Sequence, residues 1–265
     1  MLDPDTVASP GSFEAAVRAA GGGVALVDAL LGGDAAAGAA LHRPPGHHAL
    51  RARAMGFCLF ANVAIAARHA QRAHGLERVM VVDYDIHHGN GTNDLFHDDP
   101  SVLFASVHQW PFWPGSGRAD DIGAGAGEGY TVNVPVPGGS GDPTWTSVVE
   151  HVFVPLGRAY APQLVLVSAG FDAHADDPLG GCTVTDAGFV AMAASVRRLA
   201  DGLGVPVGVV LEGGYDLGAL ARGVVGTLEV LGAAETPPGD DALPVDAIAR
   251  GAIERLQARW PALAV

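Results

Sequence analysis

The run Val81-Val82-Asp83-Tyr84-Asp85-Ile86-His87-His88-Gly89-Asn90-Gly91 carries acid, acid and histidine at alternate positions behind an apolar stretch. On an extended chain, residues two apart point the same way, so Asp83, Asp85 and His87 share one face. Carboxylates buried together repel each other unless a cation or a proton lies between them. Carboxylate and imidazole donors suit zinc, iron(II) or manganese better than calcium. A lone Asp-x-Asp more often caps loop amides; the longer pattern behind a buried strand points to a metal. Catalytic zinc usually has three protein ligands and one open position. The third donor comes from Gly170-Phe171-Asp172-Ala173-His174, which follows the apolar run Leu164–Ala169. Asp172 lies nearest the strand end and is the better ligand, with His174 able to support it from behind.

Two other segments bring groups for proton transfer. Arg43-Pro44-Pro45-Gly46-His47-His48 sets paired histidines on a stiff turn. A neutral histidine near an activated water is a general base, and a histidinium is a general acid for a leaving amine. Adjacent histidines on a surface are, equally, often inert. Leu211-Glu212-Gly213-Gly214-Tyr215 ends an apolar run in a flexible turn and a tyrosine. That hydroxyl could donate to the oxyanion of a tetrahedral intermediate, or the ring could simply pack over the turn.

These segments need elements to hold them. Short apolar runs recur at Ala37–Leu41, Val79–Asp83, Val102–Val107, Thr131–Val136, Leu164–Ala169 and Val205–Leu211. Near-continuous Val/Leu runs read as strands buried on both faces. Alanine-rich stretches with helical spacing lie between them, at Phe57–His74, Thr144–Tyr160 and Asp186–Leu203. Ser9-Pro10 reads as a cap opening a helix to about Leu31, Pro237–Asp241 as a loop, and Val245–Trp260 as a final amphipathic helix. The alternation predicts an α/β fold with a mostly parallel sheet, in one domain spanning residues 1–265. Parallel sheets bind ligands beyond the carboxyl ends of their strands, which is where the polar segments fall.

Composition narrows the function. With 265 residues, 49% of them hydrophobic, the chain can bury a large core. The net charge is −14 and all 15 basic residues are arginine, which argues against nucleic acid as a partner. No apolar run is long enough to span a membrane, and Met1–Pro10 lacks the basic and apolar regions of a secretory signal. Two cysteines, Cys58 and Cys182, do not make a disulfide framework, so a reducing cytoplasm is expected.

Taken in order, RPPGHH, GFC, DYDIHHGNGT, SVH, WPFWPGSG, GEGYTVNVP, AGFDAH and LEGGY resemble the histone deacetylase family and its bacterial relatives, the acetoin-utilisation proteins and acetylpolyamine amidohydrolases. The likeness runs from the N-terminal helix to about Leu231. It implies a three-layer arginase/deacetylase-like α/β fold and zinc held by Asp85, His87 and Asp172. It makes His47 and His48 the tandem histidines, with His48 the proton carrier and His47 chiefly electrostatic. Asp83 then orients His47, Asn90 stands beside His48 where other branches carry aspartate, and Tyr215 polarises the acyl carbonyl. Phe57 and Trp113 match the aromatic walls of the acyl-amine channel. A structural potassium would use Asp83, Asp85, His87, Ser106 and Val107, partly through backbone carbonyls. Family members usually carry a further N-terminal segment with two strands and a rim loop, so edge strands on that side of the sheet are expected to be missing. An unpaired edge would favour association into a homo-oligomer.

The resemblance implies hydrolysis of an acylated amine such as acetyl-lysine. Leu179 stands at the pocket rim, where polyamine-selective members carry glutamate, and it favours mono-cationic substrates over acetylpolyamines. Three other readings compete: an acetylpolyamine amidohydrolase, a binuclear manganese ureohydrolase on a similar fold, and a non-catalytic acyl-amine binder.

Overall fold

The computed structural model describes residues 1–240 and 242–263. Its centre is a six-stranded sheet, every adjacent pair parallel. The strands are β1 (Ala37–Ala40), β2 (Val79–Asp83), β3 (Val102–Gln109), β4 (Thr131–Val136), β5 (Leu164–Ala169) and β6 (Val207–Leu211). They lie in the order β1-β6-β5-β2-β3-β4, so β2 and β5 are flanked on both sides and β1 and β4 form the edges. All six expected strands are present. Every residue of β2, β5 and β6 is buried, as an apolar run without alternation requires.

Successive residues along each strand serve opposite cores. Val79, Val81, Phe104, Leu164, Leu166 and Val210 face α1 (Ser12–Leu31), α2 (Asn62–His74) and α3 (Asn90–Phe96), meeting Leu26, Val27, Val63, Ala67 and Phe96. Met80, Val82, Leu103, Val165, Val167 and Val209 face the other way. There they meet α4 (Asp142–Val148), α5 (Val154–Tyr160), α6 (Asp186–Leu203) and α8 (Ala247–Leu256), through Trp145, Leu156, Met192, Val196 and Ile253. The result is the three-layer α/β arrangement expected. α7 (Leu217–Gly232) packs along α6.

The helices correct several boundaries. Helix α1 starts at Ser12, not at Ser9-Pro10, because the Ser9 amide donates to Ser12 Oγ (2.9 Å) and closes a turn ahead of the helix. Helix α2 starts at Asn62, not Phe57. Gly56 and Phe57 both have positive φ (58° and 64°), a backbone a right-handed helix cannot contain. The expected Thr144–Tyr160 helix is continuous from Asp142, but residues Val149–Phe153 widen to π geometry. Pro155 lies just beyond, with no N–H for the helix ladder. The final helix is shorter than expected, ending at Leu256. The predicted loop Pro237–Asp241 is a loop through Asp240; Asp241 lies outside the described residues. Helices α3 and α7 were not foreseen. No helix among the described residues is long and apolar enough to cross a membrane.

Candidate active site

The carboxyl ends of β2, β5 and β6 converge at mid-sheet, and the chemistry-bearing residues sit on the segments that follow them. Asp83 ends β2, and Asp85 and His87 lie on the bend that follows it rather than on a continued extended strand. Asp172 follows β5, and Glu212 and Tyr215 follow β6. The tandem histidines arrive from the loop after β1.

Asp85, His87 and Asp172 are brought together, with donor atoms all within 4.8 Å of one another. His87 Nδ1 lies 3.1 Å from Asp85 Oδ1 and 3.1 Å from Asp172 Oδ2. The outer carboxylate oxygens are held by backbone amides, Gly213 N on Asp85 Oδ2 (2.8 Å) and Ile86 N on Asp172 Oδ1 (2.9 Å). Gly213 allows this close approach; a Cβ there would collide with both carboxylates. His174, the weaker candidate, turns away to Asp186 (3.1 Å).

Electrostatics at this point calls for a cation. Burial raises the Asp172 carboxyl to about 6, and the Asp85 charge beside it adds to the effect. Burial would also raise Asp85, but His47 and His87 outweigh it and hold that carboxyl far below its ordinary value. His87, which burial alone would lower, is carried up to about 10 by its contacts with Asp172 and Asp85. Two buried carboxylates thus gather with His87 around one point that favours positive charge. Their donor set, two oxygens and one imidazole nitrogen, fits zinc.

His47 and His48 stack at 3.9 Å between ring centroids, yet their environments drive them apart. His47 Nδ1 donates to Asp83 Oδ2 (3.1 Å), and its Nε2 lies 3.7 Å from Asp85 Oδ2. Burial works against protonation of His47, but Asp85, Asp83 and Glu212 overcome it and raise it to about 10. His48 is lowered well below its usual value, by burial first and then by the charge on His47. His48 Nδ1 lies 2.8 Å from Asn90 Oδ1, and the Asn90 amide group points instead to Met55 Sδ (3.4 Å). With Asn90 oriented so, His48 carries its proton on Nδ1 and leaves Nε2 as an acceptor.

A cavity of about 270 Å³ opens above these groups, lined by His48, Phe57, His87, Phe112, Trp113, Leu179 and Tyr215, with Asp5 at its edge. Trp113 meets His48 edge-on (4.6 Å), Phe112 stacks on His87 (5.1 Å), and Phe57 meets Tyr215 edge-on (5.9 Å). The expected channel residues Phe57, Trp113 and Leu179 all line it. Burial, aided by the charges of Asp172 and Asp85, keeps the Tyr215 hydroxyl protonated at any physiological pH. Of the five residues expected around potassium, Asp83 and Ser106 are direct neighbours across β2 and β3, with Val107 next along the strand.

Four residues escaped the sequence reading. Buried Glu212 accepts from Gly46 N (2.6 Å), His47 N (3.1 Å) and Ser168 Oγ (3.0 Å), fixing the histidine turn to β6. Asp177 Oδ2 accepts from Tyr215 N (2.6 Å) and its Oδ1 from Leu179 N (2.9 Å). Phe112 and Asp5 complete the cavity. An acid at the end of a fully apolar strand is the same signal that marked Asp83, and it could have marked Glu212; Asp177 sits in a loop with no comparable cue.

Comparison with known proteins decides the family, since the histone deacetylase domain matches residues 1–231. The chain belongs to the histone deacetylase family. It is 47% identical over 232 residues to histone deacetylase 14, chloroplastic, of Arabidopsis thaliana, covering 85% of this chain and 55% of the relative. It is 47% identical over 235 residues to the polyamine deacetylase HDAC10 of Homo sapiens, covering 86% of this chain and 35% of the relative. The crystal structure of the HDA15 HD domain superposes with a TM-score of 0.90 at 42% identity, over 100% of this chain and 73% of that one. The chain thus spans about half, or less, of the curated relatives it matches. Membership in the deacetylase family sets the ureohydrolase reading aside.

Proposed function

We propose that the chain is a zinc-dependent amidohydrolase that removes an acetyl or other acyl group from an amine such as acetyl-lysine. The observation that carries this reading is the convergence of two buried carboxylates and His87 beneath an aromatic-walled cavity that also receives His48 and Tyr215.

Asp85, His87 and Asp172 would hold the zinc, which when bound supplies Lewis-acid polarisation of the carbonyl and acidification of water. The remaining chemistry belongs to the side chains. Phe57, Phe112 and Trp113 enclose the acyl-amine stem and exclude bulk water. Neutral His48 accepts the proton of the attacking water at Nε2, while its Nδ1–H is anchored on Asn90. His47, held charged by Asp83 and Asp85, stabilises the negative charge that develops on the acyl carbon's oxygen. The Tyr215 hydroxyl donates to that same oxygen. As the C–N bond breaks, the proton held at His48 passes to the leaving nitrogen, and the products are a carboxylate and an amine. A potassium ion bound through Asp83, Asp85, His87, Ser106 and Val107 would stiffen the loop after β2.

Leu179 at the cavity wall favours a substrate with a single cationic group; an acetylpolyamine, with a further ammonium, finds no acid at that position. The test is a rate comparison, with zinc-loaded protein, on acetyl-lysine peptide, longer acyl-lysines, acetylputrescine and acetylspermidine. Acyl-lysine peptides should be hydrolysed fastest. Hydroxamate binding without turnover on any of the four would instead support the non-catalytic binder.

A further inference from the structure

We propose that Asp28, His69 and His74 form a second metal site, on the outer face of the molecule, for a divalent transition-metal ion such as zinc. The proposal does not depend on the function assigned to the central cavity.

Asp28 lies on α1, and His69 and His74 lie in the last two turns of α2. Asp28 Oδ1 accepts from His69 Nε2 at 2.6 Å and from His74 Nε2 at 2.8 Å. The three donor atoms fall within 4.8 Å of one another. Residues five apart on a helix are not ordinary face neighbours, which lie three or four apart. Here both rings nevertheless swing to present the same nitrogen to one oxygen, edge to face at 5.5 Å. A surface ion pair would need only one of them.

The geometry is close to that of a bound ion. Zinc takes nitrogen and oxygen donors at about 2.0–2.2 Å, which sets tetrahedral donors roughly 3.3 Å apart. Opening the two N···O contacts by roughly 0.5–0.7 Å, a small rotation of Asp28, therefore makes room. Asp28 is 53% exposed, and the two imidazoles are 25% and 26% exposed, so water can complete the coordination. Hydrogen bonds from His69, then His74, hold the Asp28 carboxyl below its usual value, so it is an anion at neutral pH. Two imidazoles and one carboxylate, without sulfur, select zinc, cobalt, nickel or copper over magnesium and calcium. A bound ion would clip α1 to α2 across the core they share.

The test is zinc content by mass spectrometry after equilibrium dialysis of the untagged full chain at micromolar free zinc. The chain should hold one more equivalent than His69→Gln/His74→Gln. The same difference should persist when Asp172→Ala is added to both, which separates this site from the central one. Backbone amides of α1 should also exchange more slowly on zinc addition in the wild-type chain, and not in Asp28→Asn. Equal zinc contents, an equivalent taken up only at millimolar zinc, or α1 exchange unaffected by zinc would overturn the proposal. Circular dichroism of each variant verifies that it is folded, as expected for the Asp28, His69 and His74 changes because those side chains are partly exposed.

Discussion

Asp177 shows how a residue without access to substrate can govern the site. Its carboxylate holds the amides of Tyr215, Asp216 and Leu179, so the oxyanion donor and the cavity rim hang from one side chain. Replacing Asp177 with alanine strands those part-buried donors and frees Tyr215 to drift. A loss of one or two such bonds is about 1–3 kcal/mol, and turnover should fall roughly tenfold or more. Comparing kcat with KM for acetyl-lysine peptide checks this: a change confined to KM would show that Asp177 serves the rim alone. Leu179→Glu should move preference toward acetylspermidine, read as a rise in its kcat/KM relative to acetyl-lysine peptide. An unchanged ratio would mean that this position does not read substrate charge. At this scale the sequence was most legible where side chains follow buried strands. Asp83, Asp85, His87, Asp172 and Tyr215 announce themselves by interrupting apolar runs. Asp177, Asp5 and Phe112 lie in loops whose path no local pattern encodes.

Elements were legible in proportion to how much they bury. The six strands follow from runs of Val and Leu that leave no polar face. Helices α3 and α7 were missed for different reasons: α3 is seven residues of mixed polarity, while α7 leaves Leu217, Val225 and Leu228 exposed and so lacks a clean apolar stripe. The start of α2 was misplaced because Phe57 looks like core but is 41% exposed, committed to the cavity instead. The π segment before Pro155 is tied to α6 by Glu150, whose Oε2 pairs with Arg198 Nη2 at 2.5 Å. Half-burial would raise Glu150, but Ser195 and Arg198 more than reverse this and leave its pKa lowered. A carboxyl whose folded value is depressed stabilises above its unfolded value and loses that contribution as pH falls. Glu150→Gln should therefore cost about 1 kcal/mol at pH 7, as a partly exposed ion pair allows. The gap to wild type should close below about pH 4. Denaturant titrations at pH 7 and at acid pH measure it, and a gap that widens in acid would contradict the sign.

At the scale of the molecule, the three layers fix the carboxyl ends of β2, β5 and β6 within hydrogen-bonding reach of each other. That focuses negative charge on one point below the cavity. The cost of burying that charge, with repulsion between carboxylates added to it, is visible in the raised Asp172 and Glu212 carboxyls, at about 6 and about 7. A divalent ion relieves it, so zinc should add RT ln(1 + [Zn]/Kd) to the stability, about 2.7 kcal/mol at a hundredfold excess over Kd, and raise the melting temperature accordingly. Chelation should lower it again, and Asp172→Ala should lose most of the response. The measurement that bears most directly on the central claim pairs zinc content with acetate release from acetyl-lysine peptide, for wild type and Tyr215→Phe. The wild-type chain should hydrolyse the peptide. Tyr215→Phe should keep its zinc but turn over about 10²–10³-fold more slowly, the cost of removing one oxyanion donor. A Tyr215→Phe chain with full zinc and full activity would contradict the assignment of this site.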